Sequence, residues 1–182
     1  MSKPHVLTYG INYPSIDILQ NICEDMGGEI NEIVNYALSL YELAQEAFFQ
    51  GRTIQVELNG ARKSIAPDDF MINSLEFILL NDSTKLSEFS KELGTKRKFD
   101  AFLGKFDNLF YAFLSFTYGG IIFEFYDDSY KRLCTMAEKD KSNLSSVILA
   151  KSLSFLRYTT IIYDDGGKIY IEDKEGEFHE AL

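Results

Sequence analysis

The feature that most constrains the fold is an order of elements that recurs along the 182-residue chain. Each occurrence has a short apolar strand, a short amphipathic helix, a longer amphipathic helix, a glycine that ends the helix, and a further strand. Hydrophobic spacing predicts these elements, because apolar residues at every second position indicate a strand and at every third or fourth position a helix. An internal repeat constrains the fold of the whole chain.

The first copy covers residues 1–66. Its predicted elements are a strand at 5–13, helices at 16–26 and 30–49, and a hairpin of strands at 53–58 and 61–65. Gly51 is expected to end the long helix, since glycine tolerates the left-handed backbone found there. Asn59-Gly60 predicts the hairpin turn, because this dipeptide suits the two positive-φ positions of a type I′ turn.

The last copy covers residues 121–182. Its predicted elements are a strand at 121–126, a short helix from 128, a long helix at 144–162, and strands at 168–172 and 177–179. Gly166-Gly167 is expected to end the long helix. Because this copy matches the first one best, we expect their two leading strands to pair within the chain.

The middle segment, residues 67–120, is interpreted as a degenerate third copy. It predicts a strand at 75–80, a short helix capped by Asp82-Ser83, and a long helix at 98–118 that Gly119-Gly120 ends. Eight of the 15 phenylalanines lie between Phe99 and Phe125, which predicts deep burial of this segment. The expected fold is α+β and helix-dominated, with the three pseudo-symmetric units forming one compact domain.

Three segments carry a family resemblance. They are EIVNYALSLYELAQEAFFQGRTIQV at 32–56, SSVILAKSLSFLRYT at 145–159 and GGKIYIEDKEGEFHEAL at 166–182. Their pattern resembles the second helix and the tail of the ribbon-helix-helix family. The resemblance implies that two copies pair their strands into an antiparallel ribbon. It also implies sequence-specific DNA binding, in which the outward ribbon side chains enter the major groove and the start of the second helix holds a phosphate.

Seven residues occupy the positions where such a scaffold would contact DNA or a partner. They are Thr8, Asn12, Lys96, Arg97, Lys98, Glu124 and Tyr126. Thr and Asn side chains can read base edges, whereas a carboxylate such as Glu124 is unfavourable beside the phosphates. The basic cluster Lys96–Lys98 lies where the family places a phosphate. Glu29 and Glu32 at the start of the first long helix would instead repel one.

Charge favours protein partners over nucleic acid. The chain has 18 Lys+Arg against 28 Asp+Glu, a net charge of −10, which opposes binding driven by release of DNA counterions. We therefore expect a non-enzymatic regulatory or adaptor protein that acts through protein–protein contacts. The alternative is a DNA-binding transcriptional regulator or antitoxin that uses Thr8, Asn12 and Lys96–Lys98. Three ribbon strands in one chain also leave a homodimer open.

Signals for catalysis, cofactors and membranes are weak. The sequence has no phosphate-binding glycine loop, metal-ligand spacing or serine elbow, so neither a cofactor nor a metal is expected. His5 and His179 are interpreted as free terminal histidines, and Cys23 and Cys134 as small core residues. The longest uncharged run has 16 residues, short of the roughly 20 that a membrane helix needs. No apolar signal segment is recognised, and we expect a cytoplasmic protein.

Overall fold

Two antiparallel sheets and four helices make up the part of the chain that this computed structural model describes. The described residues are 5–67, 69–70, 77–79, 100–103, 109–112, 118–140, 142 and 144–181. Helices hold more of these residues than strands do, so the predicted helix-dominated α+β class is confirmed. None of the helices in these ranges is both long enough and apolar enough to cross a membrane.

One order of elements occurs twice among the described residues. The first series is β1 (His5–Asn12), α1 (Tyr13–Met26), α2 (Ile30–Phe49), β2 (Ile54–Leu58) and β3 (Ala61–Ile65). The strands β4 (Phe77–Leu79), β5 (Asp100–Leu103) and β6 (Leu109–Ala112) follow. The second series is β7 (Tyr118–Phe125), α3 (Asp127–Lys139), α4 (Ser145–Asp164), β8 (Lys168–Glu172) and β9 (Phe178–Glu180). The long helices α2 and α4 have 20 residues each.

The chain folds into two units, and each unit is assembled from two separate chain segments. Unit 1 consists of Met1–Asn35 and Leu75–Ala150, and unit 2 of Tyr36–Ser74 and Lys151–Leu182. The boundaries between the units fall inside α2 and α4, so each long helix contributes to both.

Unit 1 is built on the pairing of β1 with β7. The two strands run antiparallel over eight residue pairs, from His5 opposite Phe125 to Asn12 opposite Tyr118. Alternate side chains of the two strands are buried, namely Leu7, Tyr9, Phe123 and Phe125. Helix α1 contacts both strands and α3 contacts β7. The predicted pairing of the first and last leading strands within the chain is therefore confirmed.

The phenylalanine-rich middle segment is extended wherever the structure describes it, so the predicted helix at 98–118 is wrong. Strands β5 and β6 pair antiparallel with Phe102 opposite Phe110, and β6 pairs with β7. Phenylalanine and tyrosine fit the pleated surface of a sheet well. In a run this rich in apolar residues, the spacing that suggests a helix also satisfies short strands.

Gly119 and Gly120 belong to a strand, so the prediction that they end a helix is wrong as well. They lie in β7 and pair with β1 on one side and with β6 on the other. Strand β4 confirms the central part of the predicted strand at 75–80 and pairs with β1. The predicted short helix after Asp82 lies outside the described residues. The sheet of unit 1 therefore has the strand order β4-β1-β7-β6-β5.

Unit 2 is built on the pairing of β2 with β8, the strands that follow the two long helices. Its sheet has the strand order β3-β2-β8-β9. Ile54 of β2 lies opposite Ile171 of β8, and both neighbouring pairings are also antiparallel. The hairpin of β2 and β3 turns at Asn59 and Gly60, whose φ angles are 53° and 76°. The turn predicted from Asn59-Gly60 is confirmed.

Three aromatic rings form the centre of the unit 2 core. Tyr41 of α2, Phe155 of α4 and Phe70 meet edge to face, with ring centroids 5.1 to 6.2 Å apart. All three side chains are buried. Edge-to-face contacts between aromatic rings are favourable beyond the area they bury, so this aromatic cluster contributes strongly to the stability of unit 2.

Both long helices end in the same way, and both predicted glycine stops are confirmed. Gly51 after α2 and Gly166 after α4 have positive φ angles of 67° and 76°. The next amide, of Arg52 or Gly167, donates to the carbonyl five residues earlier in the chain. This is the Schellman arrangement, which satisfies carbonyl groups that the end of a helix would otherwise leave unpaired.

We expect Gly167→Ala to destabilise the protein more than Gly51→Ala does. A Cβ at position 167 would lie 2.7 Å from the carbonyl oxygen of Glu57 and 2.8 Å from the Ile162 side chain. Such overpacking costs about 2–3 kcal/mol. A Cβ at position 51 meets nothing within 4 Å, so only the left-handed backbone costs free energy, about 1 kcal/mol. Urea unfolding followed by circular dichroism measures both losses, and equal losses would contradict the close approach at Gly167.

Candidate functional site

The structure brings three of the predicted contact residues onto one pair of strands. Thr8 and Asn12 lie in β1, and Glu124 lies in β7. Tyr126 follows β7 directly and is 74% exposed. The other three predicted contacts lie outside the described residues, namely Lys96, Arg97 and Lys98.

The ribbon formed by β1 and β7 is the middle of a wider sheet. Strand β4 lies on the outer edge of β1, and β6 and β5 continue the sheet beyond β7. Neighbouring strands are about 4.8 Å apart, so five strands span about 19 Å between their outer axes. The major groove of DNA is about 12 Å wide and admits a two-stranded ribbon. Where β4 and β6 flank the ribbon, at residues 9–11 and 119–121, the sheet is therefore too wide to enter the groove as the family's ribbon does.

Both long helices begin with an amide group that a side chain of the protein already occupies. At α2 the backbone N–H of Glu29 donates to the Glu32 carboxylate at 3.3 Å. At α4 the backbone N–H of Leu144 donates to Ser142 Oγ at 3.3 Å. A carboxylate at the start of α2 stands where the family resemblance would place a phosphate, and it repels one.

Each histidine has a carboxylate partner, so the interpretation of His5 and His179 as free terminal residues is wrong. His5 Nε2 lies 2.8 Å from Asp127 Oδ1, and the His5 ring stacks on Tyr130 at 4.0 Å. This contact joins the start of β1 to the start of α3. In unit 2, His179 Nε2 lies 2.6 Å from Asp173 Oδ2.

An open cleft of about 380 Å³ lies within unit 2, and we call it the unit 2 cleft. It is lined by Leu43 and Glu46 of α2, by Arg52, and by residues 171–175 and 179–181 around the β8–β9 hairpin. The inner wall is largely apolar. Leu43 is 55% exposed although it is a large apolar residue, so part of this wall faces solvent.

Hydrogen bonds hold the hairpin that forms one side of the cleft. The Asp173 carboxylate accepts the backbone N–H groups of Glu175 and Glu177, each at 2.9 Å, which closes the turn. The Glu172 carboxylate accepts the backbone N–H of Thr53 at 2.7 Å, and the Glu172 carbonyl accepts a hydrogen bond from Arg52. These bonds tie the hairpin to the segment that follows α2, so the cleft has a defined shape.

The rim of the unit 2 cleft is acidic. Five carboxylates line it, from Glu46, Glu172, Asp173, Glu175 and Glu180. The fixed cations among the lining residues are Arg52 and Lys174, which leaves a net charge of −3, and the salt bridge of Lys168 to Glu180 at 2.9 Å reduces it to −2. Hydrogen bonds from His179 and from backbone N–H groups lower the pKa of Asp173. The hydrogen bond from Lys168 likewise lowers the pKa of Glu180, so both carboxylates stay ionised at neutral pH.

The unit 2 cleft is not predicted from the sequence, because its residues come from distant parts of the chain. Leu43 and Glu46 lie in the first series of elements, whereas the hairpin residues lie in the second. Leu43 fits no motif, and the sequence of residues 173–176 indicates only a turn. Two sequence features point to the cleft, namely the density of carboxylates around that turn and an apolar residue on the polar side of α2.

The arrangement offers binding groups but few reactive ones. Among the described residues, no group of three or more His, Cys, Asp or Glu side chains is placed to hold a metal ion. Cys23 is buried, and burial raises the pKa of its thiol to about 11, so the thiol is protonated at neutral pH. A protonated, buried thiol is a poor nucleophile, which agrees with the interpretation of Cys23 as a core residue.

No protein-family model matches the chain, and neither the curated proteins nor the solved structures include a significant match to it.

Proposed function

We propose that this chain is a non-enzymatic regulatory or adaptor protein that acts through protein–protein contacts on a ribbon-helix-helix-derived scaffold. In this proposal β1, α1 and α2 are one ribbon-helix-helix-like unit, and β7, α3 and α4 are the other, fused in one chain. Two features support the scaffold: the order of elements occurs twice, and the leading strands pair antiparallel. The matching glycine ends of the two long helices also support it.

The observation that carries the proposal is that other strands flank both edges of the β1–β7 ribbon, β4 at residues 9–11 of β1 and β6 at residues 119–121 of β7. A ribbon-helix-helix protein reads DNA with a free two-stranded ribbon, and β4 and β6 each occupy part of one edge of this one. The Glu32 carboxylate at the start of α2 further opposes a bound phosphate. A scaffold that keeps the architecture but loses the DNA-binding surface favours a role in binding proteins.

The unit 2 cleft supplies a surface for that role. It combines exposed apolar area with charged groups at the rim, which is the usual composition of a protein-binding site. Its walls come from α2 and from the β8–β9 hairpin, both held by backbone hydrogen bonds, so the site is formed before a partner arrives. Preformed sites lose less entropy on binding.

We expect the purified chain not to bind DNA. Fluorescence anisotropy with pooled duplexes from around the protein's own gene, at about 50 mM salt, is the appropriate measurement because phosphate contacts are strongest at low salt. The expected result is no rise in anisotropy up to about 100 µM protein, the weak end of ordinary non-specific binding. Saturable binding with a steep salt dependence would contradict the proposal and favour the DNA-binding alternative.

A second measurement asks whether the chain forms a complex with one partner protein. A protein captured by the chain from nuclease-treated native extract should, when purified separately, re-form the complex with the chain alone. Retention of that complex without nucleic acid supports the adaptor role. A complex that re-forms only when DNA is added contradicts it.

A further inference from the structure

The unit 2 cleft has an apolar wall inside an acidic rim, and this combination restricts the chemistry of its ligand. Leu43 of α2 and Ile171 of β8 contribute apolar side chains, and Leu43 is 55% exposed. Exposed apolar surface bordered by polar residues marks interaction sites. A volume of about 380 Å³ accommodates a few side chains of an extended peptide.

The charge at the rim selects cations. Five carboxylates against two fixed cations give the lining residues a net charge of −3, and Lys168, which forms a salt bridge with Glu180, reduces it to −2. Glu175 lies at the exposed tip of the hairpin, and Glu46 lies on α2 beside the apolar wall. Such a cleft attracts positively charged partners and speeds their approach, while anions are repelled.

We propose that the unit 2 cleft binds a basic peptide segment of a partner protein. An apolar side chain of that segment packs on Leu43, and flanking Lys or Arg side chains meet the carboxylates of Glu46 and Glu175. This inference rests on the proposed adaptor function and adds the chemical class of the partner.

Other occupants fit the cleft less well. An anionic lipid surface or a nucleic acid would face the acidic rim and be repelled. A second copy of this chain would bring the same acidic cleft into a two-fold interface, where like charges oppose each other. Among the described residues, no group of three or more ligating side chains suits a metal ion. A cationic and partly apolar segment satisfies both features of the site together.

The experiment starts from a random library of dodecapeptides displayed on phage, with the full chain as bait. Peptides that also bind a Leu43→Lys, Glu175→Lys double variant are removed by counter-selection. The expected result is a set enriched in Lys and Arg next to Leu, Ile, Val or Phe. Recovery of acidic sequences, or of no sequence that distinguishes the two baits, overturns the inference.

A recovered peptide is then labelled and titrated against matched variants of the full chain. Leu43→Ala should weaken its affinity about tenfold, since it removes most of a buried leucine contact. Phe49→Ala is the control, because Phe49 lies on the same helix with the same exposure of 55% and does not line the cleft. The affinity of the peptide for this control variant should stay within about twofold of its affinity for wild type.

Charge is tested with a second matched pair. Glu175→Lys should weaken the peptide's affinity about tenfold, because it turns an attractive charge at the rim into a repulsive one. Glu177→Lys makes the same change in net charge on the same exposed hairpin but outside the cleft lining, and should have at most about a threefold effect. Equal effects of the two variants would mean that net charge alone attracts the peptide. That result would overturn the proposal that the peptide binds in the unit 2 cleft.

The outcomes of this experiment are separate from those of the adaptor proposal. Leu43, Glu175 and the control residues are exposed, so circular dichroism should show that every variant stays folded. If the chain forms a binary complex with a native partner but Leu43→Ala leaves that complex unchanged, the cleft inference fails and the adaptor role stands. If the chain binds DNA and no protein, the adaptor role itself fails.

Discussion

Replacing Phe155 with alanine should lower the free energy of unfolding by about 3–5 kcal/mol. The Phe155 ring is fully buried in α4 and meets Phe70 at 5.1 Å and Tyr41 at 6.2 Å. The truncation removes apolar area from the core and leaves a cavity that the neighbouring rings fill only in part. It also removes two of the three edge-to-face contacts of the cluster, and such contacts contribute about 0.5–1.5 kcal/mol each.

Urea unfolding monitored by circular dichroism measures this loss, and Phe49→Ala is its control. Phe49 is the same residue type at an exposed position of α2, so its truncation should cost less than about 1 kcal/mol. The slope of free energy against urea should be unchanged if the unfolding transition stays two-state. A loss at Phe155 no larger than the loss at Phe49 would show that the aromatic cluster does not hold unit 2 together.

Much of the fold was predictable because the local and tertiary signals agree. Apolar residues repeat at helical spacing through 30–49 and 144–162, glycines follow both segments, and the structure has long helices there. Asn59-Gly60 predicted its turn because only a few dipeptides adopt two positive φ angles at low cost. The alternation of Leu7 and Tyr9 predicted a strand with one buried side.

The middle segment was mispredicted because its local signal is ambiguous. A run as rich in phenylalanine as 99–116 has apolar residues at helical and at strand spacings together, and the choice depends on the neighbours. Here β7 offers a free edge, and β6 pairs with it. That pairing joins residues close in sequence, whereas the partner of β7 on its other side, β1, comes from the start of the chain.

The unit 2 cleft could not be predicted from any single segment. Its apolar wall needs Leu43 of the first series and Ile171 of the second at the same site. The pairing of β2 with β8 and the contact of α2 with α4 bring these segments together, and neither is encoded in local spacing. The predicted contact residues Thr8, Asn12 and Glu124 lie on paired strands, yet the strands around them give the sheet a shape that the family resemblance does not imply.

Wild type should be more stable than Tyr9→Phe at neutral pH and less stable than Tyr9→Phe at alkaline pH. The Tyr9 side chain is fully buried in β1, and its hydroxyl donates to Ser145 Oγ at 3.1 Å. Burial raises the pKa of Tyr9 above its usual value of about 10. The folded protein therefore binds this proton more tightly than the unfolded chain does. The stability that comes from the neutral hydroxyl is fully present below pH 10 and is lost as the pH rises further.

The magnitude follows from proton linkage. Above pH 10, and below the raised pKa of folded Tyr9, wild type should lose about 1.4 kcal/mol per pH unit from this residue. Tyr9→Phe has no such loss, but it lacks the hydrogen bond to Ser145 and should be about 1 kcal/mol less stable than wild type at pH 8. By pH 11.5 wild type has lost about 2 kcal/mol from this residue, so the variant becomes the more stable protein.

Urea unfolding at pH 8, 10 and 11.5 tests this reversal of stability, with both proteins measured side by side. Burial of Cys23 and partial burial of Tyr158 also raise the pKa values of these two groups, and both groups lower the protein's stability in the same pH range. Those losses are common to the two proteins, so the difference between them reports Tyr9 together with its charge interactions with Cys134 and Tyr130. Parallel stability curves from pH 8 to pH 11.5 would mean that the Tyr9 hydroxyl reaches water in the folded protein. In that case the buried face of the β1–β7 ribbon would not be sealed at its centre.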